Sequence, residues 1–311
     1  MRSLLLILSI IVFPAFAQDE LSAKAWLDKM SQALQQTQFK ASMIEVQSDH
    51  IRPLVYLHGV VNKQEVAFLE YLNGPPQKAI RVGEQVTFLE NEQPPYSVKA
   101  QRIDGLWPQV FAEDINLLSN SYQFVLGGRN RIAGRPGQLV RIIPNDDFRY
   151  GYQLWLDMEN YLPLRLDTIS SDKHLLEQLM VIEMGVMDET PEILQEAADR
   201  NWPSAAKQLP HKSVIKWKFN WLPKGFKVLV QDHHSLYGSR KPVEYIGISD
   251  GIANISVYIA RAGDTELPEA LNARNGLSVV TDKVGDAEVV VIGQVPTETL
   301  TSIAKSLTLA E

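Results

Sequence analysis

At 311 residues, with 45% hydrophobic and 22% charged side chains, the chain can build two domains with ordinary apolar cores and is not composed like a disordered protein. Its formal net charge of −7 at pH 7 gives no electrostatic footprint for nucleic acid and no general attraction to anionic membrane surfaces. With no cysteine, the chain excludes disulfides, thiolate chemistry and a lipidated cysteine anchor, so its cores alone must hold it together.

The chain opens with Arg2, an apolar run over residues 4–13, and Ala15-Phe16-Ala17. This is the n-region, h-region and small-x-small pattern of a secretory leader, with cleavage expected before Gln18. Its removal takes Arg2 away and leaves a net charge of −8. Export without cysteine fits the bacterial periplasm. No later apolar run reaches the roughly 20 residues that span a bilayer. Val289-Val290-Val291-Ile292 reads as a buried strand, and the mature chain is expected not to span a membrane.

Trp26, Leu27, Met30, Ala33 and Leu34 fall at spacings of three and four and predict a helix over 21–36. Strand patterns follow at 39–47, 54–62, 65–72, 78–82, 86–89, 138–143, 150–157, 164–169 and 176–186. Turn signals separate them: Asn73-Gly74-Pro75-Pro76, Pro94-Pro95, Gly134-Arg135-Pro136-Gly137 and Asn145-Asp146-Asp147. The predicted class is α+β, beginning with one large, strongly curved antiparallel sheet, an open half-barrel with helices. Residues 96–127 are irregular and include Leu106-Trp107-Pro108; they predict short helical pieces over one face. Residues 148–157, FRYGYQLWLD, alternate cleanly. Tyr150, Tyr152, Leu154 and Leu156 point one way, and Gly151, Gln153, Trp155 and Asp157 the other.

Residues 188–213 are acidic, contain Pro191, Pro203 and Pro210, and show only a brief helical pattern at 193–198; they read as a linker. Strands resume at 214–221, 226–232, 243–248, 254–260, 277–282 and 287–292. A last helix carries Leu300, Ile303, Ala304 and Leu307 on one face, with Pro296 near its first turn. The expected organisation is a leader at 1–17, a first domain at 18–187, a linker at 188–213 and a smaller α+β domain at 214–311.

Catalytic motifs are weak. Gly247, Ser249 and Gly251 satisfy G-x-S-x-G, but that motif needs a strand turning into a helix, and here a second strand follows. A hairpin with Asp250-Gly251 at its turn fits better. None of the six histidines (His50, His58, His174, His211, His233, His234) pairs at helical ligand spacing. Asp146-Asp147 sits in a turn, and Gly127-Gly128 matches no phosphate-binding loop. No catalytic residue, metal site or cofactor is expected. Arg129, Arg131, Arg135, Arg141 and Arg149 form the one concentrated positive run. They are either solvated strand edges or an anchor for an acidic partner peptide or a phosphorylated headgroup, with Arg129, Arg131, Arg135 and Arg149 the candidates. Phe39, Phe68, Phe88, Trp107, Phe124 and Trp155 read as core, or as the lining of an apolar cavity that one helix would not fill.

These blocks resemble the RseB/MucB family of periplasmic regulators of the sigma-E envelope-stress response. The resemblance is carried in the first half by Arg129, Ala133-Gly134-Arg135, Ile143-Pro144, residues 147–157, Leu162-Pro163-Leu164-Arg165 and Leu176-Glu177-Gln178. In the second half it is carried by Trp221-Leu222-Pro223-Lys224-Gly225-Phe226, Ser249-Asp250-Gly251, Ser256-Val257 and Gly293-Gln294-Val295-Pro296. Phe148 departs from the tyrosine expected there, keeping the ring and losing the hydroxyl. The resemblance implies a first domain similar to the periplasmic lipoprotein carriers, with an apolar cavity, and a smaller second domain. It implies no enzyme activity. It implies binding of the periplasmic part of the membrane-anchored anti-sigma factor RseA, shielding it from the site-1 protease DegS, with release by lipid or lipopolysaccharide. A lipid or lipoprotein carrier is the competing reading, a hydrolase built on Ser249 a third, and homo-oligomerisation stays open.

Overall fold

The computed structural model describes residues 21–47, 50–91, 93–103, 106–205, 217–234, 243–261 and 276–309. The leader expected at 1–17, His211, the end of the linker and the start of the strand expected at 214 lie outside the described residues. Helix α1 (Ala23–Gln36) starts where Ser22 accepts a hydrogen bond from the Ala25 amide, and it buries Trp26, Leu27, Met30 and Leu34.

The strands that follow are β1 (Phe39–Val46), β2 (Ile51–Val61), β3 (Gln64–Tyr71), β4 (Gln77–Val82), β5 (Gln85–Glu90) and β6 (Tyr96–Lys99). A second run comprises β7 (Tyr122–Ile132), β8 (Arg135–Pro144), β9 (Gly151–Asp157), β10 (Pro163–Ile169) and β11 (Leu175–Val186). Together they make one 11-stranded sheet in the order β6-β5-β4-β3-β2-β1-β11-β10-β9-β8-β7. Two antiparallel meanders are thus joined by the pairing of β1 with β11, and the sheet stays open, with β6 and β7 as its edges. Those edges are neighbours in sequence but opposite ends of the sheet, so residues 100–121 must cross between them. They do so as cover, with 3-10 turns at Gln109–Ala112 and Ile115–Leu118 that bury Val110, Phe111, Ile115 and Leu118. The core lies between this cover, α1 and one face of the sheet.

The opposite face is partly covered as well. Helix α2 (Glu192–Asp199) buries Leu194 and Ala197 against Leu57, Val66, Phe68 and Ile80, and Trp202 donates its indole N–H to the Ala197 carbonyl at 2.8 Å. The segment read as a linker therefore begins as an integral layer of the first sheet. Its helical pattern is short, but the apolar side chains it covers come from strands far away in sequence.

The second unit contains β12 (Trp217–Phe219), β13 (Lys227–His234), β14 (Val243–Ser249), β15 (Asn254–Arg261), β16 (Ser278–Val284), β17 (Ala287–Gly293), α3 (Thr297–Ser306) and β18 (Leu307–Leu309). A 5-stranded antiparallel sheet, β13-β14-β15-β17-β16, packs Ile246, Ile248, Ile255, Val257, Val289 and Val291 against Leu300, Ile303 and Ala304 of α3. Strands β12 and β18 pair separately. No described helix is long and apolar enough to cross a membrane. Strands β6, β7 and β18 were not anticipated. β7 carries Gly127, Gly128 and its arginines where an apolar alternation would be needed to announce a strand.

A candidate binding cavity at the seam between two units

The hairpin joining β14 to β15 inserts into the first unit. Asp250 organises it: Oδ1 accepts the Ile252 and Ala253 amides at 3.0 and 2.9 Å, closing the turn around Gly251 at φ +105°. Its other oxygen, Oδ2, accepts the Tyr122 hydroxyl at 2.8 Å and the Arg149 Nη1 at 2.6 Å. Ile252 joins the core of the first unit, and Gly251 lies against Leu118 and Val110. Ser249 Oγ donates to the Ala253 carbonyl at 2.8 Å and accepts the Gly251 amide at 3.0 Å, so its hydroxyl is committed to the turn, and a strand follows it.

Arg149 is only 1% exposed. Besides Asp250, its guanidinium donates to both oxygens of Asp146 at 2.9 Å and to the Lys224 carbonyl at 2.6 Å, and it stands 4.7 Å from the centre of the Phe226 ring. Burial works against its charge, but Asp146 and Asp250 outweigh that and raise its pKa further. Tyr122 is held protonated, first by burial and then by the neighbouring Tyr152 and Asp250, and so remains a donor. Three further contacts cross the seam. Thr299 donates to the Phe148 carbonyl at 3.0 Å, Phe148 meets Trp221 edge to face at 5.1 Å, and Gln294 Nε2 donates to Glu177 Oε2 at 2.6 Å.

Beside this seam lies a cavity of about 800 Å³, within the size range of small-molecule sites. Its floor is the sheet (Tyr152, Leu166, Thr168, Leu179) and its roof the cover (Ile103, Leu106, Trp107, Val110). The second unit supplies Lys227, Leu229, Ile252 and Gln294. One end holds an acid pair. Gln47 Nε2 donates to Glu45 Oε1 at 2.7 Å and to Glu177 Oε1 at 2.9 Å. Burial raises the Glu45 pKa; Arg52 opposes this, and the adjoining Glu177 reinforces it. At the other end Glu65 Oε2 accepts Arg81 Nη2, Arg102 Nη1 at 2.6 Å and, at 3.3 Å, His58 Nε2. Burial alone would raise Glu65, but the hydrogen bonds from His58 and Arg81 and the two guanidinium charges hold it well below the carboxylate range.

The arginine run does not stay together. Arg149 is enclosed in the seam and offers no charge at the surface, which corrects its expected role as a headgroup or peptide anchor. Arg135 is half-buried on Asp157 and on Glu159, the latter at 2.9 Å. Arg129, whose Nε donates to Gln138 at 3.1 Å, and Arg131 are exposed along the free edge β7; Arg141 is exposed on β8. The aromatics divide too. Phe39 is core, and Phe88 and Phe124 pack beside it. Phe68 lies on the opposite face beneath α2, and Trp155 alternates with the buried Leu154 and Leu156 and stands across from Arg165. Of the six, Trp107 alone lines the cavity, so a cavity lined by the whole set is not what the fold builds. Tyr122, Arg102 and the pairing of Glu45 with Glu177 had no signal in sequence. Asp250 read as turn chemistry, which is one half of its role.

Comparison with known proteins follows the same division. The MucB/RseB N-terminal domain matches residues 22–206 and the MucB/RseB C-terminal domain residues 211–308. The Sigma-E factor regulatory protein RseB of Escherichia coli K12 is 29% identical over 300 residues, covering 96% of this chain and 94% of its own. The Sigma factor AlgU regulatory protein MucB of Pseudomonas aeruginosa is 28% identical over 312 residues, covering 98% and 96%. Among solved structures, MucB in complex with MucA(peri) superposes with a TM-score of 0.73 at 24% identity, over 93% of this chain and 99% of that one. The chain belongs to the MucB/RseB family.

Proposed function

We propose that this member of the MucB/RseB family is a periplasmic, non-enzymatic regulator that binds the periplasmic part of a membrane-anchored anti-sigma factor of the RseA/MucA kind. Bound there, it shields that factor from the first protease of the cascade, a DegS-type enzyme, and lipid or lipopolysaccharide entering the cavity releases it. The observation that carries this reading is the match of both family domains, over 22–206 and 211–308, to regulators of sigma factors. The leader pattern supports a periplasmic address.

A carrier of lipid or lipoprotein is the second reading, favoured by the cavity of about 800 Å³ under the cover segment. It gives the second unit no task, yet that unit supplies Lys227, Leu229 and Ile252 to the cavity wall. In the regulator reading, the exposed Arg129 and Arg131 on β7 present positive charge toward an acidic partner segment.

The test is protection. The mature protein is mixed with the periplasmic fragment of its cognate anti-sigma factor and with DegS activated by its peptide. Cleavage is expected to slow in proportion to complex formed, and to recover when a lipid amphiphile is added. Cleavage at the same rate with and without the protein overturns the regulator reading. Protection that no amphiphile relieves overturns the release step alone.

A further inference from the structure

Arg102 and Trp107 carry hydrogen-bond donors that have no partner among the described residues. Arg102 lines the cavity and spends one nitrogen, Nη1, on Glu65; its other N–H groups have no partner among the described residues. Trp107 lines the same cavity, and its indole N–H is buried with no acceptor among the described residues. Both also border a smaller adjoining recess with Leu34, Tyr56, Ile103 and Leu106. A buried N–H left unpaired is costly, so an acceptor at this spot is favoured.

Charge points the same way. Glu65 is the one carboxylate paired with both Arg81 and Arg102, and the side chains of Arg81 and Arg102 are 4% and 17% exposed. Within this ion cluster one carboxylate faces two guanidinium groups, while Glu113 and Asp114, which line the same cavity from the cover, accept from Gln109 and from the Asn116 amide instead. The acid pair Glu45–Glu177 lies apart from this cluster. Along β1, Glu45 pairs with Arg52 while Phe39 pairs with His58, so the His58–Glu65 cluster lies six residues, roughly 20 Å, along the strand from the acid pair.

We propose that Arg102 and the Trp107 indole N–H form an anion subsite at this end of the cavity, which receives the acidic group, carboxylate or phosphate, of an amphiphile whose chain lies along Leu106, Leu166 and Leu179. The subsite rests on the reading that the cavity takes a lipid, and it adds the headgroup's charge and the side chains that hold it. It moves the headgroup contact from the arginines of β7 and β8 to an arginine inside the half-barrel.

The probes are dodecyl phosphate, dodecanoate and dodecanol, titrated calorimetrically into the full mature protein below their micellar concentrations. Both acids are expected to bind about 10-fold or more tighter than the alcohol, as charge-assisted hydrogen bonds imply. Arg102→Gln closes that gap, the two acids losing far more affinity than dodecanol does. Arg102→Lys restores part of it, and Trp107→Phe, which removes the N–H together with part of the ring, narrows it by a smaller factor, with dodecanol reading the contribution of the lost ring area. The order of dodecyl phosphate against dodecanoate identifies the headgroup source. Equal binding of alcohol and acids, or an acid preference that survives Arg102→Gln, overturns the subsite and leaves the lipid reading standing. Binding of none of the three overturns the lipid reading and the subsite together.

Discussion

Arg149 Nη1 and Asp250 Oδ2 meet at 2.6 Å across the seam, and neither side chain is exposed to water. The two residues lie 101 positions apart, one in the turn before β9 and the other in the hairpin after β14. A buried pair of this kind adds little stability over an apolar substitute, but it fixes geometry, because each charge is tolerated only while the other is in place. The pair therefore sets where the second unit sits on the first.

Removing one partner exposes that dependence. Arg149→Met leaves Asp250 buried and unpaired and should cost about 3–5 kcal/mol. The Arg149→Met/Asp250→Asn double variant should cost less than the sum of the single changes. Chemical denaturation followed by two probes checks this: the single variants should separate the transitions of the two units, and additive losses would show the pair to be uncoupled.

Gly225 should tolerate no side chain. It sits at φ +92°, and an added Cβ would lie 2.0 Å from Ser121 Oγ on the first unit. Gly225→Ala is expected to loosen the seam, read as faster proteolysis between the units and a larger radius in solution scattering. Adding Ser121→Ala should recover part of the loss, since it removes the atom that clashes.

The acid pair predicts a pH dependence of definite sign. Burial and Glu177 raise the folded-state pKa of Glu45 above its ordinary 4.5. Its protonated form is the one the fold favours, so that contribution is full below about 4.5 and is lost as pH climbs through the raised value. Glu45→Gln imitates the protonated form. Its stability relative to the parent should match near pH 4 and exceed it at pH 7, measured as thermal midpoints. A deficit at pH 7 would reverse the assignment.

Helix α2 should behave as part of the first unit. Leu194 is fully buried against the strands around Phe68, and Leu194→Ala should cost about 2–5 kcal/mol. Hydrogen exchange would then show the amides of residues 192–199 losing protection. Unchanged stability would return this stretch to the role of a tether.

Regular alternation made most of the sheet legible. Strands β1 to β5 and β8 to β11 announce themselves because one face of each is buried along its length, and α1 because its stripe repeats at helical spacing. Of the cover, its short helical pieces over one face were legible but their packing was not, and strand β7 was missed, since these apolar residues answer to neighbours that are distant in sequence and not to a period. Of the site, alternation put Tyr152 and Trp155 on opposite faces of their strand without saying which face turns inward, and Phe68 was likewise not assignable to a face without the register.

What the sequence determined by itself is the α+β class, the open half-barrel followed by a smaller unit, and the family. Each of these rests on local periodicity or on contiguous blocks such as 148–157. Only the tertiary structure decided what those blocks do. It turned Arg149 from a surface charge into the buried counterpart of Asp250, put Arg102 rather than the arginines of β7 at the cavity, and made the first part of the supposed linker, α2, a layer over the sheet. The physical reason is that a side chain's role depends on whether it is desolvated and on which opposite charge or donor reaches it, and that is settled by strand order and hairpin insertion across the whole chain.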